Sequence, residues 1–111
     1  MKLTLEVNPE GDRWFERTFA AEAVTIGRSR ECELTIAHSA ISSQHARLHY
    51  KDGQWFVSDL FSTNGTYYRA ARVREMVPVA LGDVLQLGVD GPRVRLKAFS
   101  AVAPEPVADP I

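Results

Sequence analysis

The sequence predicts an all-β protein in which two antiparallel sheets pack face to face as a sandwich. Over many short segments, apolar residues alternate with polar ones, which is the pattern of strands buried on one face. Segments rich in glycine, asparagine and aspartate separate these runs and are typical of tight turns. No long segment has the apolar repeat of an amphipathic helix, and the alanine-rich residues 20–23 are too few to form a helix alone.

The alternation places each strand along the chain. The apolar faces of the first and last predicted strands are Leu3, Leu5 and Val7, and Val94, Leu96 and Ala98, respectively. Further strands are predicted at residues 24–26, 34–36, 46–50, 55–59 and 85–87, and one begins near Thr66. Turn signals lie at residues 8–12, 51–53, 64–65, 82–83 and 90–92. Short strands at this spacing favour an antiparallel sandwich over a βαβ fold.

Length and composition bound the class of protein. A chain of 111 residues with 45% hydrophobic residues is sufficient for one domain with its own core. The net charge of −1 and the pI of about 6.3 provide no general attraction to nucleic acid or to an anionic membrane. Cys32 is the only cysteine, so no intrachain disulfide can form, which fits a reducing compartment. With no signal-peptide pattern and no apolar run of about 20 residues, we expect a cytoplasmic protein.

The two ends of the chain differ in character. Residues 1–99 hold all the predicted strands and are expected to form the domain, whereas residues 100–111 contain three of the six prolines. This composition predicts a proline-rich linker or disordered tail. We therefore expect the domain to be part of a longer multidomain protein that continues beyond Ile111.

Three clusters of polar residues lie between predicted strands, at residues 27–29, 42–45 and 59–66. Arg28 supplies a permanent cation whose planar fork suits a phosphate, and the serines of the second cluster add neutral hydroxyl donors. Asn64 offers both an amide donor and a carbonyl acceptor, and the glycine after it permits a sharp turn. No acid and base are evidently paired with a nucleophile. This combination indicates a site that binds an anion attached to a polypeptide.

Four motifs in order resemble those of a forkhead-associated (FHA) domain. They are Ile-Gly-Arg-Ser at 26–29, Ile-Ser-Ser-Gln-His-Ala at 41–46, Asp-Leu-Phe-Ser-Thr-Asn-Gly-Thr at 59–66 and Leu-Gly-Asp-Val-Leu-Gln-Leu-Gly at 81–88. The resemblance extends from about Leu3 to Ala98. It implies an FHA-like (SMAD/FHA) antiparallel β-sandwich of about eleven strands, whose loops at one end bind phosphothreonine peptides.

The resemblance also implies a role for individual residues. Arg28 and Ser42 would hold the phosphate, Ser43 would contact the phosphate or the adjacent peptide, Thr63 would help to form the phosphothreonine pocket, and Asn64 would hydrogen-bond the peptide backbone. Gly27, His45 and Gly65 would be architectural, with His45 bracing the binding loops. No catalytic residue, metal ligand or cofactor is implied.

Three positions depart from the family pattern. Ser43 stands where arginine, lysine or asparagine is common, which weakens one expected contact with the ligand. Residues 69–71, Arg-Ala-Ala, replace a common Asn-Gly turn, so the geometry of that hairpin is open. Ala40 lacks the charge with which some relatives read an acidic residue three positions after the phosphothreonine. An acidic preference at that position is therefore not expected.

The sequence offers two alternatives to a binding module, a zinc site and a Ser/His hydrolase. Cys32, His38, His45 and His49 are close in sequence, but His45 and His49 would be about 13 Å apart along a strand, too far for one zinc ion. A hydrolase would combine Ser42 or Ser43 with His45 and Asp59, but the sequence has no Gly-x-Ser-x-Gly elbow. Both are disfavoured, and the protein is expected not to be an enzyme.

Two binding alternatives remain. The basic stripe of Arg93, Arg95 and Lys97 could face nucleic acid, but the alternation makes it one solvated face of a strand without exposed aromatic residues. The stronger rival is an FHA-fold interaction or oligomerisation module that does not require phosphate. Our hypothesis is a phosphothreonine-dependent module for signal transduction. Its partner would be a protein phosphorylated by a Ser/Thr kinase, or the kinase itself, with no nucleic acid or membrane involved.

Overall fold

The computed structural model describes residues 2–9 and 13–100, which form eleven β-strands. They are β1 Lys2–Asn8, β2 Phe15–Phe19, β3 Ala23–Gly27, β4 Leu34–Thr35, β5 Ala46–Lys51, β6 Gln54–Asp59, β7 Thr66–Tyr68, β8 Ala71–Arg72, β9 Val77–Val79, β10 Val84–Leu87 and β11 Arg93–Ser100. The predicted all-β fold of about eleven strands is confirmed. The described residues contain no helix that is long and apolar enough to span a bilayer.

The strands form two sheets. One has six strands in the order β2-β1-β11-β10-β7-β8, and the other has five in the order β4-β3-β5-β6-β9. Each pairing is antiparallel except that of β3 with the two-residue β4, which is parallel. Because β4 is so short, the loop 28–33 is sufficient to bring the chain back beside the end of β3. The remainder of the predicted antiparallel arrangement holds.

The core lies between the two sheets and is built from the alternating apolar positions. Leu3, Leu5 and Val7 of β1 are fully buried, as are Leu48 of β5 and Val57 of β6. Burying an aliphatic side chain of this size contributes about 1.5–3 kcal/mol to folding. The period-two pattern therefore marks the residues that hold the sheets together.

The prediction that Ala98 lies on the buried apolar face of the last strand was wrong. The register between β1 and β11 shifts, because Leu5 pairs with Leu96 whereas Thr4 pairs with Ala98. Lys97 is thus an extra residue in β11, which is a β-bulge. The bulge reverses the alternation beyond Leu96, so that Ala98 is exposed.

Strands β2, β8 and β9 were not predicted from the sequence. The centre of β2 is a run of exposed polar residues, and β8 has only two residues. Strand β9 contains Pro78, which lacks a backbone donor, but it lies at the edge of its sheet, where proline is tolerated. Ser100 is the last residue of β11, and residues 101–111 of the predicted linker lie outside the described residues.

Four loops leave the same end of the sandwich. Strand β3 ends, β5 begins and β6 ends side by side, as the pairing of Ile26 with Ala46 and of Ala46 with Asp59 shows. In the other sheet, Leu87 at the end of β10 pairs with Thr66 at the start of β7. The loops 28–33, 36–45, 60–65 and 88–92 are therefore neighbours, and they hold the polar clusters.

The hairpin between β7 and β8 has unusual backbone geometry. Its two central residues, Arg69 and Ala70, have φ angles of 53° and 65°. Two-residue hairpins favour this left-handed geometry, which is unfavourable by roughly 1–2 kcal/mol per residue for most side chains because of the Cβ. It is normally adopted by glycine, which has no Cβ, and by asparagine, whose short polar side chain can form local hydrogen bonds. The turn keeps the geometry of the Asn-Gly turn that it replaces, without the residues that adopt it readily.

Replacing Ala70 with glycine is expected to stabilise the domain. Relief of the left-handed strain outweighs the greater freedom of glycine in the unfolded chain, so we expect a gain of about 0.5–1 kcal/mol in the free energy of unfolding. Urea unfolding measures it. Ala71→Gly is the matched control, since Ala71 lies in β8 without a positive φ and should lose stability. If both variants lost the same free energy of unfolding, the backbone at Ala70 would not be strained.

Candidate functional site

The loops at the end of β3 and before β5 are joined by their backbones. The amide of Arg28 donates to the carbonyl of Ser42 at 3.0 Å, and the amide of Ser29 donates to the carbonyl of Ser43 at 3.1 Å. The Arg28 side chain is exposed, and within the described residues it has no hydrogen-bond or ion-pair partner. The pairing thus places Arg28, whose side chain is free, next to the loop that carries the two serines.

The loop after β3 approaches the loop before β5 so closely that only glycine fits at residue 27. A Cβ at residue 27 would lie 2.1 Å from the carbonyl oxygen of Ser43 and 2.9 Å from the Cys32 Sγ. The Cys32 thiol donates to the same carbonyl at 3.2 Å. Burial raises the pKa of this thiol, and the neighbouring Glu33 and Glu31 add to the rise, which keeps it in the neutral donor form. Gly27 and Cys32 together support the loop that carries Ser42 and Ser43.

His45 is fully buried and joins two of the loops. Its Nδ1 accepts a hydrogen bond from the Ser42 amide at 3.1 Å, so the ring proton lies on Nε2, which donates to the Gly65 carbonyl at 2.8 Å. Its backbone amide also donates to the carbonyl of Ile26 at 2.8 Å. Both ring nitrogens are occupied by backbone groups, so neither can activate a serine. This geometry argues against the hydrolase alternative.

A second network shapes the loop 60–65, and it was not assigned from the sequence. The Asp59 carboxylate accepts hydrogen bonds from the Ser62 hydroxyl at 2.5 Å, the Ser62 amide at 3.1 Å and the Thr66 hydroxyl at 2.8 Å. The Ser62 hydroxyl oxygen accepts in turn from the Gly65 amide at 2.9 Å. An aspartate at a strand end, followed three residues later by a serine, is the signal that could have identified it.

This network holds the exposed residues of the loop beside Ser42. The Ser42 hydroxyl oxygen accepts from the Thr63 amide at 3.0 Å, and the Asn64 side-chain amide donates to the Ala40 carbonyl at 2.9 Å. Gly65 has a φ of 84°, which permits the turn that follows Asn64. The hydroxyl proton of Ser42 remains available, as do the Oδ1 and second amide proton of Asn64.

The structure thus brings the predicted site residues together at one end of the sandwich. Arg28, Ser43, Thr63 and Asn64 are exposed there and Ser42 is half-buried, whereas His45 and Gly65 are buried beneath them. The surface combines one free guanidinium, two serine hydroxyls and one carboxamide. Such a surface can bind a phosphate and a neighbouring peptide bond.

The basic stripe of β11 is elsewhere and is largely neutralised. Arg95 contacts Glu6 at 2.8 Å, and Lys97 contacts both Glu16 and Glu6, the latter at 3.9 Å. The hydrogen bond to Glu16 raises the pKa of Lys97. Because two of the three cations already have carboxylate partners, the stripe is poorly suited to bind nucleic acid. Among the described residues, no group of His, Cys, Asp and Glu side chains could hold a metal ion.

The fold and the loop cluster define a binding module of the β-sandwich class. The family model of the FHA domain matches residues 24–88, which is more than half of the chain, and the protein belongs to this family. An FHA domain is a binding module and not a catalytic one. The predicted family resemblance is therefore confirmed.

Relatives and solved structures share this domain. The FHA domain-containing protein FhaB of Mycobacterium tuberculosis is 38% identical over 71 residues, which cover 64% of this chain and 46% of FhaB. The chain thus spans about half the length of that relative. The crystal structure of FHA-1 of Rv1747, from the same bacterium, superposes with a TM-score of 0.68 at 30% identity and covers 88% of this chain and 100% of that one.

A more distant structure shows the same fold. It is the N-terminal FHA domain of Rad53p from S. cerevisiae, in complex with a phosphothreonine peptide. The TM-score is 0.72 at 20% identity, with 86% of this chain and 94% of the yeast chain covered. FHA domains bound to phosphothreonine peptides thus share the architecture described above.

Proposed function

We propose that this domain binds phosphothreonine in a partner protein and has no catalytic activity of its own. The observation that carries the proposal is the exposed and unpaired side chain of Arg28 on a residue whose backbone is hydrogen-bonded to that of Ser42. A phosphorylated threonine has a charge of about −1.5 to −2 at neutral pH and three acceptor oxygens. Arg28 provides the charge and two parallel donors, and Ser42 provides a third donor.

The hydrogen bonds around Ser42 favour this role. Because the Ser42 oxygen accepts from the Thr63 amide, its own proton is free to be donated to an anion. His45 accepts from the Ser42 amide and so fixes the backbone of the same residue. The donor is therefore oriented before the ligand arrives, which reduces the ordering cost of binding.

Thr63 and Asn64 would contact the remainder of the ligand. Thr63 is exposed, its backbone amide is hydrogen-bonded to Ser42, and in this proposal it would contact the γ-methyl of a phosphothreonine. Asn64 retains one acceptor and one donor for the peptide backbone beside its bond to Ala40. Ser43 adds a hydroxyl at a position where a charged side chain would bind the phosphate more strongly. The affinity of the domain for the phosphopeptide is expected to be about micromolar.

The partner, in this proposal, is a protein phosphorylated by a Ser/Thr kinase, or the kinase itself, in the cytoplasm. The Rad53p structure contains a phosphothreonine peptide, and FHA structures of Mycobacterium tuberculosis include EmbR with a low-affinity phosphopeptide. We further propose that residues 100–111 connect the domain to other parts of a longer protein.

Phosphothreonine should bind more tightly than phosphoserine. The two ligands differ by one methyl group, which contributes roughly 1–3 kcal/mol when a pocket wall contacts it, or a preference of roughly 10–200-fold. A peptide selected from a phosphothreonine library, its phosphoserine counterpart and its unphosphorylated form would be titrated by calorimetry. Equal affinity for the first two would indicate a generic anion site. Equal affinity for all three would favour the interaction module that does not require phosphate.

A further inference from the structure

A groove of about 550 Å³ runs along the outer face of the six-stranded sheet, over β7, β10 and the start of β11. Its apolar surface comes from Tyr67, Val84 and Val89, and two arginines, Arg69 and Arg93, stand at its sides. It is distinct from the cluster of Arg28 and the serines. None of the proposed phosphate contacts lines it.

The charged side chains that line the groove are all positive. No acidic side chain of the described residues lines it, whereas Arg93 is exposed and the Arg69 side chain is 76% exposed. The Arg69 guanidinium lies 3.8 Å from Asp83, whose side chain is 16% exposed, and 5.2 Å from the centre of the Tyr68 ring, so it is partly engaged within the domain. The exposed Arg93 side chain has no hydrogen-bond or ion-pair partner within the described residues and is fully available to an anionic ligand, and the exposed part of Arg69 adds a second positive charge.

The groove is continuous with the proposed phosphopeptide site. Val89, at its near end, follows Gly88, where a Cβ would lie 3.5 Å from the Asn64 Cβ and 3.7 Å from the Ala40 Cβ. The amide of Gly88 also donates to the Gly65 carbonyl at 2.8 Å. A peptide that leaves Asn64 can therefore pass over residues 88–89 directly into the groove.

The far wall of the groove is the strained hairpin at Arg69 and Ala70. An asparagine and a glycine would adopt the same backbone more readily, but they would provide no cation in the wall of the groove. Strain that persists without a local benefit is a feature of functional surfaces. Here the strained hairpin places Arg69 and Ala70 in the wall of the groove.

We infer that this groove receives an acidic segment of the same phosphorylated partner, with apolar side chains of that segment packed against Tyr67 and Val84. The inference rests on the proposed phosphothreonine function. Because the peptide must cross Gly88 and Val89 before it reaches the groove, and an extended chain advances about 3.3 Å per residue, the acidic residues are expected about four or more positions from the phosphothreonine.

The test uses a peptide library with one fixed phosphothreonine and eight random positions on either side. The wild-type domain is expected to enrich aspartate and glutamate at four or more positions from the phosphothreonine, on one side only. Replacing three glutamates of a selected peptide with glutamines should weaken binding roughly three- to tenfold, and less at high salt. The double variant Arg69→Ala/Arg93→Ala should bind the glutamate and glutamine peptides equally well, and its binding should still require the phosphate.

The matched control is Arg17→Ala/Lys51→Ala, which removes the same charge at β2 and at the β5–β6 turn, away from the groove. It should retain the preference for glutamate. Phosphate-dependent binding without any acidic preference would overturn the groove assignment alone. A preference that survives in the Arg69/Arg93 variant would overturn it as well. If no phosphopeptide is selected, both the proposed function and the groove assignment fail.

Discussion

Replacing Arg28 with alanine is expected to weaken phosphothreonine-peptide binding by roughly 100-fold or more while leaving the fold intact. A guanidinium forms two charge-assisted hydrogen bonds with a phosphate, each contributing about 1.5–3 kcal/mol. The Arg28 side chain is exposed and has no partner within the described residues, so its removal breaks no internal contact. Calorimetric titration measures the affinity, and thermal unfolding should shift by no more than a few degrees.

Two further variants separate charge from geometry at this position. Arg28→Lys keeps the charge but loses the planar fork, and it should recover only part of the affinity. Lys51→Ala removes one positive charge at the opposite end of β5 and should bind as the wild type does. A folded Arg28→Ala domain with normal affinity would rule out this arginine as the phosphate clamp.

Replacing His45 with alanine is expected to lower the free energy of unfolding by about 2–4 kcal/mol. The change leaves the half-buried Ser42 amide without its partner, removes one of the two hydrogen bonds that the Gly65 carbonyl accepts, and opens a cavity between the loops. Small domains are stable by about 5–15 kcal/mol, so the variant should still fold. Urea unfolding measures the loss. Phosphopeptide binding should also weaken, because Ser42 loses its support.

His49→Ala is the control of the same residue type. His49 is only half-buried on β5 and packs against Phe56, with ring centroids 5.7 Å apart, so its loss should lower stability by less than about 1 kcal/mol. If His45→Ala retained wild-type stability and lost binding alone, His45 would be a direct ligand contact rather than a brace.

The sequence was sufficient to predict the core strands because burial on one face imposes a period of two. Leu3, Leu5 and Val7 show this directly. The bulge at Lys97 could not be predicted, because it depends on the register between β1 and β11, and these strands are distant in sequence. Strand β9 was hidden by Pro78, whose tolerance at this position depends on its being at a sheet edge.

The residues of the candidate site could be predicted from the sequence, but the hydrogen bonds that connect them could not. The motifs around Arg28, Ser42 and Asn64 identified the loops, and the structure places these loops side by side. The sequence carries no signal for which ring nitrogen of His45 bears the proton, since that depends on backbone groups of two loops. The arginine-lined groove was also not predictable, because its surface combines positions from three strands that are separated along the chain.

The pairing of β1 with β11 has a practical consequence for engineering. Lys2 lies opposite Ser100 in this antiparallel pair, while Arg93, at the other end of β11, adjoins the loop 88–92. Both ends of the domain therefore leave the sandwich on the side remote from the loops. A tag, a surface linker or a host protein joined at either point would leave the recognition face open. The domain is thus suited to immobilisation or to insertion into the loop of another protein, and the proposed function would make it a phosphopeptide sensor there.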